Sequence, residues 1–342
     1  MKAVVLVCYG AADQAFEVRE LPTPEPGPGQ VRIAVEAFGL NYADVSARQG
    51  TYQEAPPIPC VIGYEVVGRI DALGTGATSP QVGTRVTGFT RFGGYATHAV
   101  TDARAVATIP DTMDAGVAAA LPTQYGTAYH CAEEMTRLHP GDHVLVHAAA
   151  GGVGTALVQL CKRRGCIVYG TAGSADKLTY LRGLGVDHPI NYRSSDFVEV
   201  VRQIRGSDGL DVIFDSLGGA SVRKGLQLLA AGGRLVCLGA ASRGAGRPQI
   251  LHDLPFALSF GFQHPIGLMI NSKSIIGVNM LRLSDQRPLA LQRCLEAVVR
   301  LALDGEVQPT VGGRFTVDEI AKAHAFLESR GSTGKVVVTW KP

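Results

Sequence analysis

The segment Val144-Leu-Val-His-Ala-Ala-Ala-Gly-Gly-Val-Gly154 constrains the fold of this chain more than any other stretch. An apolar run leads directly into a glycine-rich turn, after which Val153, Ala156, Leu157, Leu160 and Cys161 recur with helical spacing. Strand, tight turn and helix in that order open a dinucleotide-binding unit. Gly151 and Gly154, with Ala149 in the first place of the G-x-G-x-x-G pattern, let the backbone turn sharply. A pyrophosphate can then approach main-chain N–H groups at a helix N-terminus, so Ala150, Gly151, Gly152, Val153 and Gly154 are candidate cofactor-binding residues. A glycine-rich connector with no ligand is the alternative for an isolated match. A second apolar run at Cys166–Gly170 supplies the context that such a connector lacks.

At the end of that second strand an NAD-specific site carries Asp or Glu to accept from the ribose 2′-hydroxyl. Here the chain reads Thr171-Ala-Gly-Ser174, then Ala175, Asp176 and Lys177. A 2′-phosphate would meet Gly173, the Ser174 hydroxyl, a helix N-terminus and the Lys177 ammonium, which points to NADPH as the cofactor. Asp176 falls two positions late, in a first helical turn where a carboxylate is stabilised by the dipole. The alternative is that Ser174 only caps the helix and Lys177 is a solvated charge.

A length of 342 residues suits about two domains of ~150 residues. With 46% hydrophobic and 18% charged residues there is ample material for buried cores. The net charge of +2, without a basic run, gives no reason to expect nucleic acid as a partner. Seven scattered cysteines without a C-x-x-C pair suggest free thiols in a reducing cytoplasm. The opening run Met1-Lys-Ala-Val-Val-Leu-Val-Cys breaks at Tyr9-Gly10, which fits an edge strand better than a signal peptide.

Residues 1 to about 120 show short β-like runs punctuated by Pro and Gly. From about 125 to 285, strands predicted at 143–148, 167–171, 187–190, 210–215 and 233–239 alternate with helices, an α/β pattern that builds a doubly wound parallel sheet. Amphipathic helices follow at 289–303 and 316–328, the second opened by a Thr316/Glu319 capping box, and an apolar β run closes the chain at 335–339. These last segments are expected to return to the N-terminal domain.

Gly39-Leu-Asn-Tyr-Ala-Asp44, Arg48-Gln-Gly-Thr-Tyr52, Pro59-Cys-Val-Ile-Gly-Tyr-Glu65 with Gly68, Gly93-Gly-Tyr-Ala96, Ala120-Leu-Pro122 with Thr127-Ala128, and the glycine turn occur in one order. That order resembles the medium-chain dehydrogenases/reductases over nearly the whole chain. Within them it is similar to the zinc-independent quinone oxidoreductases of the zeta-crystallin type, and most to the vesicle amine transport branch. The resemblance implies a β-rich GroES-like substrate domain from residues 1–124 and 305–342, and a Rossmann domain from 125–304. It implies Asn41, Asp44 and Tyr52 around the nicotinamide and substrate, Thr127 beside the nicotinamide ribose, and Tyr192 near the 2′-phosphate. Asn279 is expected in an edge strand that pairs two Rossmann domains in a homodimer.

Zinc-dependent relatives carry Cys where this chain has Asn41 and His where it has Tyr64, and the third ligand position falls near Ala119. Neither Ala nor Tyr is a plausible catalytic zinc ligand there, so no metal is expected. His143 and His147, alternating with apolar residues on a predicted strand, read as core. Simple alcohols need a metal's help; quinones and α,β-unsaturated carbonyls already delocalise charge, and well-placed donors suffice. Candidate donors are Asn41, Tyr42, Tyr52 and Tyr64, of which Asn41, Tyr52 and Tyr64 are assigned catalytic roles. In related enoyl-thioester reductases the tyrosine matching Tyr52 is the proposed proton donor. Packing over the cleft is the alternative for Tyr52, and a structural hydrogen bond the alternative for Asp44.

Leu238 and Gly239 mark a strand end at the carboxyl edge of the sheet, where open α/β sheets bind ligands. Residues 242–271 form a long connection whose apolar content, chiefly in 254–270, suits a lid or dimer contact better than a membrane contact. Together these features predict an NADPH-dependent, zinc-free reductase of quinones or activated alkenes with the cofactor between two domains. The alternatives are an enoyl-thioester reductase and a non-catalytic lipid-binding or trafficking protein on the same fold.

Overall fold

The structure, a computed structural model, describes residues 1–241 and 250–340. The chain divides into two compact units, Met1–Thr127 together with the chain from Met280 onward, and Ala128 to Asn279.

The second unit is built on six strands, His143–Val146, Ile167–Ala172, His188–Asn191, Leu210–Asp215, Leu229–Cys237 and Ser274–Gly277. Counted along the chain they lie in the order 3-2-1-4-5-6, and every pairing is parallel. Such strands are buried on both faces and read as continuous apolar runs, as Val144–Val146 does. The core joins Leu145, Tyr169, Ile213 and Leu235. Helices Gly152–Arg163, Ala175–Gly183, Phe197–Arg205 and Ala220–Leu228 connect the strands. The strand order reverses beside His143–Val146 and Leu210–Asp215, which fixes a ligand crevice at their carboxyl ends.

Two details differ from expectation. Asn279 lies beyond the edge strand, which ends at Gly277. The 242–271 connection, whose first part at 242–249 lies outside the described residues, is not a bare loop. It holds helices Ile250–Ser259 and Pro265–Ile270, the second started by Pro265 at the first helical position and by His264 Nδ1 accepting from the Ile266 N–H at 3.2 Å. Among the described residues no helix is long and apolar enough to cross a membrane.

The first unit is a mostly antiparallel sheet assembled from distant parts of the chain. Gln30–Leu40, eleven residues long, pairs with Glu65–Leu73, His98–Asp102 and Lys335–Thr339. Val338 stands opposite Phe38, and Val336 opposite Leu40. These residues join Ile33, Val66, Ile70 and Val86 in one buried core, and that apolar face draws the last strand back to the first domain. Residues 280–304 lie in this unit; the 289–303 helix is expected to return to the N-terminal domain, whereas the bounds implied by the resemblance carry the Rossmann domain to 304. Helix Pro288–Leu303, with Leu291, Leu295 and Val298 buried, packs beside the turn Ala103–Ala105 and the strand Val106–Thr108. An amphipathic stripe demands a partner without saying which sheet supplies it. The capping box forms, with Glu319 Oε2 accepting from the Thr316 N–H at 3.3 Å, and a 3-10 turn Val317–Glu319 leads into helix Ile320–Glu328.

Candidate functional site

In the second unit the glycine turn is held from below by the neighbouring strand. The Ala149 N–H donates to the Thr171 carbonyl at 3.0 Å, and the Ala148 N–H to the Thr171 hydroxyl at 3.1 Å. Ala148 adopts φ +50°, and the Gly151 N–H closes the turn on the Ala148 carbonyl at 2.9 Å. A Cβ on Gly154 would lie 2.3 Å from the Ala148 oxygen and 2.7 Å from the Ala149 Cα, so only glycine lets the helix pack this close to the strand end. Gly152, Val153 and Gly154 occupy the first helical turn, whose N–H groups have no intrahelical acceptor and face an incoming anion.

Gly173, Ser174 and Tyr192 come together at the next strand end. A Cβ on Gly173 would stand 2.4 Å from the Tyr192 hydroxyl, so the half-exposed phenol lies directly over this glycine. Ser174 caps helix Ala175–Gly183, its Oγ accepting from the Lys177 N–H at 3.4 Å. Tyr192 also lines a pocket of about 370 Å³ with Arg193, Ser194, Ser195, Asp196, Phe197 and Lys224, residues the sequence reading did not single out. Lys224 in that pocket is held by Asp196 at 2.5 Å.

At the sheet's reversal point Asp215 is fully buried and saturated by the Leu217 N–H at 2.7 Å, the Gly218 N–H at 2.8 Å and the Ser221 hydroxyl at 2.6 Å. The Leu238 N–H donates to the Asp215 carbonyl at 2.9 Å, and a Cβ on Gly239 would meet the Ser216 oxygen at 2.8 Å. Buried His147 sets Nδ1 3.3 Å from the Thr171 hydroxyl and Nε2 4.0 Å from Asp215. Burial lowers the pKa of this imidazole while Asp215 opposes the shift.

The first unit concentrates side chains instead. Asn41 precedes helix Tyr42–Arg48, and its N–H donates to Asp44 Oδ2 at 2.7 Å. Its side-chain amide is not free to roam. Nδ2 donates to both Glu65 oxygens at 2.8 Å, and Lys335 Nζ donates to Oδ1 at 3.1 Å and to Glu65 Oε1. Glu65, Lys335 and Asp44 are fully buried. Among the described residues Asp44 Oδ1 makes no hydrogen bond of good geometry, and burial followed by repulsion from Glu65 holds its pKa well above the usual carboxylate range. Lys335 Nζ pairs with Glu65 and acts on Asp44 only through space.

Tyr52 and Tyr64 meet edge to face, with ring centroids 6.2 Å apart at 85°. Burial, with Glu54 adding to it, pushes Tyr52 up to about 12, and burial raises buried Tyr64 further. The Tyr64 hydroxyl interacts with the Tyr52 phenol and, among the described residues, makes no hydrogen bond of good geometry. Thr127 is buried at the end of the first segment of this unit. Sequence reasoning gave no role to Glu65 or Lys335. The available signal was a charge at the head of each of two apolar strands, Glu65 before Val66-Val67 and Lys335 before Val336–Val338. Among the described residues no group of three His, Cys, Asp or Glu side chains is arranged to hold a metal ion.

A parallel 3-2-1-4-5-6 sheet with this glycine turn defines a dinucleotide-binding oxidoreductase fold. The model of the alcohol dehydrogenase GroES-like domain matches residues 27–111, and that of the zinc-binding dehydrogenase domain matches residues 152–296. Over its whole length the chain is 35% identical to the synaptic vesicle membrane protein VAT-1 homolog of Danio rerio, covering 70% of that protein. Three solved structures resemble it over 99% of this chain. They are a mycobacterial protein complexed with NADPH (28% identity, TM-score 0.84, 99% of that chain), a Pseudomonas syringae quinone oxidoreductase (26%, 0.85, 99%) and the CurK enoyl reductase (27%, 0.83, 98%). An NAD-dependent alcohol dehydrogenase also shares the fold, at 29% identity and a TM-score of 0.81, over 99% of each chain. The chain belongs to the medium-chain dehydrogenase/reductase superfamily of oxidoreductases.

Proposed function

We propose that the protein is a zinc-independent, NADPH-dependent reductase acting on quinones or activated α,β-unsaturated carbonyls. The observation that carries this reading is the fate of the zinc-ligand positions. Where zinc relatives have Cys and His, this chain has an amide bound to a buried ion pair and a buried phenol. Neither is a metal ligand of the zinc type, whereas both are hydrogen-bond donors suited to an oxygen that gains charge.

The second unit supports the cofactor assignment. Gly152, Val153 and Gly154 offer N–H groups to a pyrophosphate, and Gly173, Ser174, Lys177 and Tyr192 would receive a 2′-phosphate with no acidic residue at the strand end. NADPH, when bound, supplies a hydride. The chain's own contribution is to donate hydrogen bonds from Asn41, Tyr52 and Tyr64 to the acceptor oxygen, and Tyr52 and Tyr64 stay protonated at neutral pH because burial raises both.

A homodimer belongs to the same proposal. Strand Ser274–Gly277 ends the sheet on one side, and Phe262 and Met269 close by in the chain are 88% and 77% exposed. Sedimentation velocity should return twice the monomer mass.

The test is NADPH oxidation against a panel of quinones, enones and enoyl thioesters, with affinities for NADPH and NADH. Turnover of quinones or enones with NADPH preferred is expected. Enoyl thioesters as the best substrates would move the assignment toward the enoyl reductases. Binding without turnover would favour a non-catalytic trafficking role, and no binding of either nucleotide would remove the reductase reading.

A further inference from the structure

The contacts of Asn41 specify more than its position. The two oxygens of a carboxylate, about 2.2 Å apart, subtend roughly 45° at a nitrogen 2.8 Å from each, whereas the two N–H bonds of an amide diverge by about 120°. One hydrogen shared by both Glu65 oxygens gives straighter bonds than one hydrogen to each, and in that arrangement the second points away from Glu65. Rotation of the amide by 180° would set Oδ1 against the Glu65 carboxylate and Nδ2 against the Lys335 ammonium, so the ion pair allows one orientation only.

The fold makes specific room for this arrangement. Gly39, opposite Val337 in the strand pairing, would carry a Cβ 2.1 Å from Lys335 Cε and 2.2 Å from Glu65 Oε1. Any side chain there would expel the pair. A buried ion pair is a poor device for stability alone, since desolvation offsets most of the attraction.

We infer that Glu65 and Lys335 are positioning residues that fix the Asn41 amide as a hydrogen-bond donor toward the substrate oxygen on which charge accumulates. This rests on the reductase reading above. The catalytic contact is made by Asn41; Glu65 and Lys335 act through it.

The test replaces the pair with neutral side chains of similar size, Glu65→Gln/Lys335→Met, with Glu65→Gln alone as a second variant. In the double variant the thermal midpoint should stay within experimental range of the wild type, while Glu65→Gln alone, which strands the buried Lys335 ammonium, should lower it; in both, NADPH affinity should hold within about two-fold while kcat falls about 10- to 100-fold. In the wild-type background Asn41→Ala should lower kcat by a similar factor, and in the double variant it should cost less than two-fold more. Independent factors that multiply would overturn the inference. A second readout needs neither cofactor nor substrate. In ¹⁵N spectra the Asn41 side-chain amide, assigned by its loss in Asn41→Ala, should exchange slowly in the wild type and rapidly once the pair is neutral. Unchanged exchange in both variants would overturn the positioning role. A wild type that binds NADPH but reduces no acceptor would instead overturn the reductase reading, and the amide measurement would still decide the positioning role.

Discussion

The two units solve the problem of an active site by opposite means. In the second, glycines leave room at the strand ends, Gly154 for the helix and Gly173 for Tyr192, and the buried carboxylate of Asp215 is spent on neighbouring N–H groups and Ser221. In the first, the site is a cluster of side chains packed out of water, with Asp44, Glu65 and Lys335 fully buried around Asn41. A backbone site can hold a phosphate without burying any charge of its own. A desolvated cluster gains directional donors and pays in stability and pH sensitivity.

The contrast can be broken experimentally, and the largest effect should come from the first unit. Lys335→Met alone leaves Glu65 and Asp44 buried without a cation, and should cost about 3–5 kcal/mol in denaturant unfolding. A loss below 1 kcal/mol would mean the cluster is wetter than its geometry implies. The counterpart in the second unit is Gly154→Ala. Its new Cβ meets backbone that cannot swing away, so NADPH affinity by fluorescence titration should fall about 100-fold, close to 3 kcal/mol.

A pH experiment on the first unit comes next, through His324, fully buried in helix Ile320–Glu328. Burial, with Arg48 adding to it, lowers the His324 pKa to about 3, against about 6.5 for the ordinary side chain. The folded state therefore binds fewer protons than the unfolded state between those values. The stability His324 contributes is complete above pH 6.5 and is lost as pH falls toward 3, with about 2 kcal/mol gone by pH 5. Urea unfolding at pH 7 and 5 should show this loss, and His324→Gln should remove it. The smallest effect is expected from Gly173→Ala. The clash there is with the far end of Tyr192, a side chain that can move, and NADPH affinity should fall only about three- to ten-fold. A loss as large as that of Gly154→Ala would make Tyr192 as rigid a part of the site as the backbone turn.

The same contrast explains what the sequence disclosed. Gly151 and Gly154 follow an apolar strand within a few residues, so a local pattern carried both the fold and the cofactor turn. The neighbours of Asn41 were hidden because Glu65 and Lys335 are separated by 270 residues and meet only through strand pairing. Periodicity shows that Val336 and Val338 are buried, but not which residue faces the lysine before them. Helix Pro288–Leu303 reads two ways for a related reason, with the N-terminal domain in the chain pattern and with the Rossmann domain in the family bounds, since its apolar stripe fits either. Asn279 was set in a strand that stops at Gly277, an error of boundary rather than of kind.

Lys335 has a consequence for how the chain is made. As synthesis proceeds from the N-terminus, Glu65 emerges with its strand long before its cation, and the whole of the unit from Ala128 to Asn279 is produced in between. Until Lys335 arrives, Gln30–Leu40 has an open edge and Glu65 cannot be buried without an unpaired charge. Nascent chains stopped short of residue 335 should thus hold a folded nucleotide-binding unit and a protease-sensitive first unit, which closes only once strand Lys335–Thr339 has been made.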